Sequence, residues 1–187
     1  MKFIILLRKG YTKPFSTNLR NAGRLDVLHQ VAISTFFISK GIRRNNSLDA
    51  FLYGPGDPPL HMQIDGKSLY DVRTDEETWK DIINNILSGK THPGISIKKE
   101  GIESYLKNLK ERIFVLREDG ENIQNYEIKE NDIFLLGDHI GLPIKLENYA
   151  IKRGAIKLSI GKVPYLAYQV VTIINYIFDK NGASRNS

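Results

Sequence analysis

Apolar residues follow two alternating patterns along the chain, short continuous runs and runs with the spacing of a helix. The first continuous run, residues 3–7, has the length and composition of a strand that is covered on both faces. Leu25, Leu28, Ala32 and Phe36 then recur at helical spacing. Strands that alternate with helices in this way predict an α/β fold, in which a mostly parallel sheet carries helices on both faces.

The middle of the chain contains the clearest helix. Thr74 and Glu77 have the spacing of a capping box, and five apolar residues then share one helical face before Gly89. Strands are predicted before and after this helix, and a second helix follows them. The predicted strands are residues 49–53, 61–64 and 95–98, and the second helix covers residues 102–109.

The C-terminal half repeats the same alternation. Apolar runs predict strands at residues 113–116, 133–136 and 155–158, and a wide apolar face predicts a helix over about residues 165–179. Residues 145–153 are predicted to form a connection. Since no repeat or linker interrupts the pattern, the sequence predicts one domain over residues 1–187, with a polar tail from about residue 180.

Composition excludes several classes of site. The 187 residues include no cysteine, so disulfides, thiolate nucleophiles and cysteine zinc sites are all excluded. The four histidines are scattered without metal-ligand spacing, and we expect no metal site. No apolar stretch is long enough for a membrane span, and the first residues lack the features of a signal peptide, so we expect a cytoplasmic protein without a membrane partner.

Charge is distributed unevenly along the chain. Residues 1–60 carry 9 basic and 3 acidic side chains, residues 65–132 carry 11 and 15, and residues 133–187 carry 7 and 3. This pattern of basic, acidic and basic segments predicts that the two ends of the chain form a surface for an anionic partner, of which nucleic acid is the first to consider. The simpler alternative is that these side chains only keep the protein soluble.

Common catalytic signatures are missing, but three strand ends in the C-terminal half form a candidate site. The sequence has no phosphate-binding loop, no complete dinucleotide-binding fingerprint and no nucleophile elbow. Ligands of open parallel sheets bind outside the carboxyl ends of the strands. The loops after Leu116, Leu136 and Leu158 could therefore form one pocket, in which glycine would let a ligand approach the backbone.

The residues of several short motifs resemble those of a known family. Gly23-Arg-Leu-Asp26, Gly137-Asp-His-Ile-Gly141 and Leu158-Ser-Ile-Gly-Lys-Val163 occur in this order, followed by Tyr165-Leu-Ala and Val171-Thr-Ile-Ile174. The chain thereby resembles the archaeal tRNA pseudouridine-54 N1-methyltransferases over about residues 1–180. This resemblance implies the SPOUT class, with a C-terminal trefoil knot, S-adenosylmethionine as methyl donor, tRNA as substrate and a homodimer as the assembly.

The resemblance also implies a binding site for the methyl donor. It assigns this site to the same three strand ends and to one position in the last helix, where many relatives carry a cysteine and this chain has Val170. That departure removes one expected contact with the donor. The predicted donor-binding residues are Leu116, Leu136, Gly137, Leu158, Ser159, Ile160, Gly161, Lys162, Val163 and Val170.

Three residues are candidates for the chemistry. Methylation at N1 of pseudouridine requires that N1 lose its proton and that charge on the ring oxygens be stabilised. Asp26 and Asp138 are candidates for orienting N1 or accepting its proton, and Arg24 is a candidate for the charge or for a neighbouring phosphate. The alternative is that Asp138 caps a turn or helix and that Asp26 is simply a first-turn residue.

Basic side chains at both ends of the chain are candidates for contacts with RNA phosphates. They are Lys9, Lys13, Arg20, Arg24, Arg43, Arg44, Lys152 and Arg153. Two other functions remain open at this point. One is methylation of pseudouridine in ribosomal RNA, and the other is a non-enzymatic RNA-binding or ribosome-assembly factor with the same fold.

Overall fold

A seven-stranded sheet runs through the centre of the protein. The computed structural model describes residues 1–183. Besides a short 3₁₀ helix at Ile123–Asn125, its elements are β1 (Lys2–Leu7), α1 (Leu25–Phe36), β2 (Phe37–Ile38), β3 (Gly41–Ile42), β4 (Ser47–Leu52), β5 (Leu60–Asp65), α2 (Glu76–Leu87), β6 (Ile95–Lys98), α3 (Ile102–Asn108), β7 (Ile113–Asn122), β8 (Ile133–Gly137), α4 (Ile144–Lys152), β9 (Ile156–Ser159) and α5 (Ala167–Ala183).

The strand order in this sheet is β6-β5-β4-β1-β8-β7-β9. The five strands β4, β1, β8, β7 and β9 pair in parallel. β5 and β6, the two outermost strands on the β4 side of the sheet, pair antiparallel. β2 and β3 form a separate antiparallel pair. The predicted α/β fold with a mostly parallel sheet is therefore confirmed. The carboxyl ends of β1, β4, β8, β7 and β9 all lie at one edge, which is called the carboxyl edge below.

Helices cover both faces of the sheet. Side chains of β1 alternate between two apolar clusters, with Phe3, Ile5 and Leu7 in one and Ile4 and Leu6 in the other. The first cluster contains residues of α1, α2 and α5, and the second contains residues of α3 and α4. Burial of this strand on both faces explains why its sequence is a continuous apolar run rather than an alternating one.

The structure corrects several of the predicted boundaries. Residues 145–153, predicted as a connection, form most of α4, which buries Leu146, Glu147 and Ala150. β7 continues past Leu116 to Asn122 through a shift in its register with β9. α2 begins one residue later than the capping box implied, because its N-cap is Asp75 rather than Thr74.

The last helix also differs from its prediction. α5 begins at Ala167 and continues to Ala183, so its final residues fall within the segment predicted as a polar tail. Residues 184–187 of that segment lie outside the described residues. Val170, Val171 and Ile174 are buried in the same cluster as residues of α1. Much of the apolar face of α5 is thus covered within the chain itself.

Candidate functional site

A cavity of about 460 Å³ lies at the carboxyl edge, where β8 and β9 end and where the pairing of β7 with β9 shifts after Leu116. The pairing of β7 with both β8 and β9 brings these ends together, as expected from the sequence. The start of α5 closes one side of the cavity. Of the predicted donor-binding residues, those that line the cavity are Leu116, Leu136, Gly137, Leu158, Ile160, Gly161, Val163 and Val170.

Ser159 and Lys162 do not line this cavity. Both face a neighbouring cavity of about 650 Å³, between the loop after β9 and α5. The Ser159 hydroxyl donates to the Gly161 carbonyl oxygen at 2.9 Å and accepts from the Gly161 amide at 3.1 Å. Ser159 therefore shapes the loop that separates the two cavities.

A tight turn after β8 forms another wall. A Cβ atom added to Gly137 would lie 2.3 Å from the Gly141 carbonyl carbon and from the Leu142 nitrogen, so this position requires glycine. The Gly141 amide donates to the Asp138 carbonyl at 2.8 Å, and Gly141 has a φ of 81°. We call residues 137–142 the β8 turn.

Asp138 is buried within the β8 turn. Its Oδ1 atom accepts from the Ile140 amide at 2.9 Å, which is the turn-capping contact that the sequence also allowed. The same carboxylate forms an ion pair with Arg8, with 3.2 Å between Nη2 and Oδ1. Arg8 is not among the residues predicted from the sequence. Its position directly after the first strand was the only available signal, and the neighbour of that strand in the sheet was unknown.

Arg24 and Asp26 form a two-point ion pair beside the cavity. Arg24 Nε donates to Asp26 Oδ1 at 2.9 Å, and Nη2 donates to Oδ2 at 3.0 Å. These hydrogen bonds raise the pKa of the Arg24 guanidinium, and the charge of Asp138 adds to the effect. Arg24, which itself has a left-handed φ of 67°, lines the cavity together with Asp138. Of the three predicted catalytic residues, Arg24 and Asp138 line the cavity, whereas Asp26 does not and contacts Arg24 instead.

Other residues of the site were not identified from the sequence. Arg117, Glu118 and His139 also line the cavity. Arg117 forms an ion pair with Glu147 of α4 at 3.3 Å, and Lys157 of β9 contacts the same carboxylate at 3.1 Å. This contact and a second one to Asp119 raise the pKa of Lys157. Because the pattern of residues 145–153 predicts a connection, a buried carboxylate is not expected there from the sequence.

The structure divides the predicted RNA-binding residues between two edges of the sheet. Lys9, Lys13 and Arg20 are exposed in the segment between β1 and α1, at the carboxyl edge with Arg24. The other four lie at the opposite edge, before β4 or at the end of α4: Arg43, Arg44, Lys152 and Arg153.

Three of these four residues have partners within the protein. Arg43 pairs with Asp179 at 2.7 Å, and Arg44 donates to the Leu69 carbonyl at 2.6 Å. Arg153 donates to the Lys107 carbonyl at 2.7 Å. Since these residues lie far along the sheet from the cavity, the two basic ends of the chain do not form a single patch around it.

Within residues 1–183 no group of three or more acidic, histidine or cysteine side chains is arranged to hold a metal ion. None of the helices in this range is both long and apolar enough to cross a membrane.

Known proteins resemble the chain over most of its length. A family model for SAM-dependent RNA methyltransferases matches residues 1–183. Relatives from Methanococcus maripaludis and Thermococcus gammatolerans, both named tRNA (pseudouridine(54)-N(1))-methyltransferase, are each 32% identical to the chain. The first alignment covers 96% of this chain and 98% of the relative, and the second covers 95% and 96%.

A solved structure shares the fold. Archaeoglobus fulgidus Nep1 bound to S-adenosylhomocysteine superposes with a TM-score of 0.62. The match covers 86% of this chain and 72% of that one, at 13% identity. At that identity the likeness concerns the fold alone.

Proposed function

Because the chain belongs to the family of the archaeal tRNA (pseudouridine(54)-N(1))-methyltransferases, we propose that it methylates N1 of pseudouridine 54 in tRNA, with S-adenosylmethionine as the methyl donor. The structural observation that carries this proposal is the cavity at the carboxyl edge. It is lined by the strand ends that the family resemblance assigns to the donor. The two alternatives raised by the sequence, an enzyme for ribosomal RNA and a non-enzymatic binding protein, make different predictions for donor and substrate.

The cavity fits the donor in size and in lining. Its volume of about 460 Å³ lies within the range of roughly 300–1,000 Å³ that is usual for small-molecule sites. Leu116, Leu136 and Leu158 form an apolar wall suited to an adenine ring, and Arg117 and Glu118 add polar groups. Val170 also lines the cavity, so an apolar contact remains where many relatives have cysteine. When bound, S-adenosylmethionine supplies an electrophilic methyl group on a sulfonium sulfur.

Arg24 is placed to stabilise charge on the substrate. As the N1 proton leaves, negative charge spreads onto the ring oxygens, and a fixed cation nearby lowers the barrier. Asp26 holds the Arg24 guanidinium by two hydrogen bonds and so fixes its orientation at the edge of the cavity. We propose that Arg24 binds the ring oxygens or the adjoining phosphate, and that Asp26 positions it.

Asp138 lines the cavity. Its carboxylate is held in place by contacts with the Arg8 guanidinium and the Ile140 amide. An ionised carboxylate at this place can accept a hydrogen bond from N1–H and orient the base. Asp26 and Asp138 both remain candidates for the final proton acceptor.

Asp138→Asn distinguishes a role of Asp138 in handling the N1 proton from a role in turn capping alone. Asparagine keeps an acceptor oxygen for Arg8 Nη2 and Ile140 but loses the charge and the acceptor of the Arg8 amide, so donor affinity should fall, but by less than kcat if Asp138 handles the N1 proton. If Asp138 orients N1 or takes its proton, kcat should fall about 10²-fold. Single-turnover methylation and calorimetric titration with the donor measure the two effects. An unchanged rate would assign Asp138 to turn capping alone.

Binding of the donor is the simplest test of the enzyme proposal. A ligand that binds only the native state stabilises it by about 2.7 kcal/mol at a concentration of 100 Kd. We therefore expect saturating S-adenosylmethionine to raise the melting temperature, in a thermal-shift measurement, by several degrees. A melting temperature that does not move at any donor concentration would favour the non-enzymatic alternative.

The carboxyl edge is also the proposed entry side for tRNA. Lys9, Lys13 and Arg20 are exposed at this edge and suit phosphate contacts that position a structured RNA. The target base has to leave its stack to reach a buried donor. Contacts from Arg43, Arg44, Lys152 and Arg153 would require that the RNA extend along the sheet to the opposite edge.

Removing two charges at each edge tests this orientation. We expect Lys9→Ala/Lys13→Ala to weaken tRNA binding and to reduce the slope of log affinity against log salt by about 1 per lost phosphate contact. Lys152→Ala/Arg153→Ala removes the same charge at the far edge and should have a smaller effect. Filter binding across a salt series measures both slopes. Equal slopes for the two double variants would contradict entry at the carboxyl edge.

We further propose that the protein is a cytoplasmic homodimer with the trefoil knot of the SPOUT class. Several large apolar side chains at the loop after β9 and on α5 are exposed in the single chain, which supports an interface there. They are Val163, Tyr165, Leu166 and Tyr176. Light scattering should give twice the chain mass of 21.3 kDa.

A further inference from the structure

The side chain of Arg8 links the central strand to the wall of the cavity. Arg8 follows β1, whose neighbour in the sheet is β8. Its Nη2 atom donates to Asp138 Oδ1 at 3.2 Å and to the Gly141 carbonyl oxygen at 3.1 Å, and its backbone amide donates to Asp138 Oδ2 at 3.3 Å. One residue thus contacts both ends of the turn from Asp138 to Gly141.

These contacts satisfy groups that are otherwise costly to bury. The Asp138 side chain is 2% exposed, and a buried carboxylate without a counter-charge is strongly unfavourable. Arg8 supplies that counter-charge and, in addition, a donor for a carbonyl of the turn. The buried Nε atom of Arg8 has no hydrogen-bond partner. The hydrogen bonds that hold the guanidinium are those from Nη2 to Asp138 and Gly141.

We propose that Arg8 is a positioning residue for the methyl donor. It fixes the β8 turn against the end of β1, and the β8 turn forms one wall of the donor cavity. Arg8 itself is not among the lining residues, so it acts through the turn and not by contact with the donor. This inference rests on the proposed function, since it assumes that the cavity receives S-adenosylmethionine.

A similar ion pair at the amino-terminal end of β8 provides a control, since Asp138 directly follows the carboxyl end of that strand. Arg112 pairs with Asp132, directly before β8, at 2.6 Å. Side-chain exposures are 32% and 1% for this pair and 33% and 2% for Arg8 and Asp138. Arg112 also donates to a backbone carbonyl, that of Glu127, at 2.7 Å. Arg112 differs from Arg8 in binding its aspartate through two side-chain nitrogens, Nε and Nη2, and in lying at the amino-terminal end of β8, away from the cavity.

Three variants test the inference: Arg8→Met, Arg8→Lys and Arg112→Met. Calorimetric titration gives the Kd for S-adenosylmethionine, and thermal unfolding without the donor reports general damage. We expect Arg8→Met to raise the Kd at least tenfold, with a smaller decrease in kcat at saturating donor and tRNA. Arg112→Met should lower the melting temperature comparably but leave the Kd within twofold of the wild-type value.

Arg8→Lys should lie between the wild type and Arg8→Met, because lysine keeps the positive charge but its ammonium nitrogen ends one bond short of the Nη2 atom that contacts both Asp138 and Gly141. It also provides the test if Arg8→Met does not fold. A Kd for either Arg8 variant within twofold of the wild type, or an equal rise in Arg8→Met and Arg112→Met, would overturn the inference. A wild-type protein that does not bind the donor would instead overturn the proposed function.

Discussion

Gly137→Ala should weaken donor binding strongly. The new Cβ atom would lie 2.3 Å from backbone atoms of Gly141 and Leu142, a distance that no rotation of a side chain can relieve. The β8 turn must then open, and the wall that it forms is lost. We expect the Kd for S-adenosylmethionine in a calorimetric titration to rise by about 10²-fold or more, which corresponds to at least about 2.7 kcal/mol. Methylation should fall with it.

Gly41→Ala is the matched control for this substitution. It adds the same methyl group at a position where nothing lies within 4 Å of the new atom, in the small hairpin of β2 and β3. Its donor affinity should equal that of the wild type. A Gly137→Ala protein that binds the donor within threefold of the wild type would show that the β8 turn does not shape the donor site.

Arg24→Ala should cause the largest loss in the chemical step. Removing one donor that stabilises developing charge typically costs about 10²–10³-fold in kcat. Arg24 is the cation at the cavity whose orientation is fixed by two hydrogen bonds to Asp26. We therefore expect kcat to fall by about 10³-fold under saturating donor and tRNA. The donor Kd should change little.

Two further variants separate charge stabilisation from RNA binding. Arg73→Ala removes an exposed arginine that does not line the cavity and should leave kcat near the wild-type value. Asp26→Asn keeps one acceptor for Arg24 and should lose less activity than Arg24→Ala if Asp26 only positions Arg24, whereas an equal or larger loss would identify Asp26 as the proton acceptor. If Arg24→Ala changed only the KM for tRNA, Arg24 would be a phosphate contact and not part of the chemical step.

Sequence patterns predicted the sheet and the cavity well, because both depend on buried apolar runs. Strand β1 and the strand ends at Leu116, Leu136 and Leu158 were visible as continuous apolar segments. Parallel pairing then brings the ends to one edge without further information. The choice of methyl donor came from the family resemblance and not from these patterns.

α4 was missed because its buried side chains do not all look buried in the sequence. Leu146 and Ala150 are apolar, but Glu147 lies between them and is buried only because Arg117 and Lys157 pair with it. A charged residue at such a position weakens the apolar period on which the helix prediction depends. The partners come from distant strands, so no local pattern could indicate them.

The basic residues show a related difficulty. Charge along the chain predicted that both ends of the sequence contribute to one surface, but position along the chain does not determine position in space. α4 leads from the carboxyl end of β8 back to the start of β9, which carries Lys152 and Arg153 to the far edge. Arg8 was missed for the converse reason, since its partner Asp138 is 130 residues away in the sequence.

Methylation of tRNA transcripts with and without prior conversion of uridine 54 to pseudouridine tests the central claim most directly. The protein and S-adenosylmethionine are incubated with each transcript, and nucleosides are identified by mass spectrometry. We expect 1-methylpseudouridine from the pseudouridylated transcript and no methylated nucleoside from the unmodified one. Methylation of plain uridine, or a pseudouridylated tRNA left unmethylated by a protein that binds the donor, would contradict the proposed function.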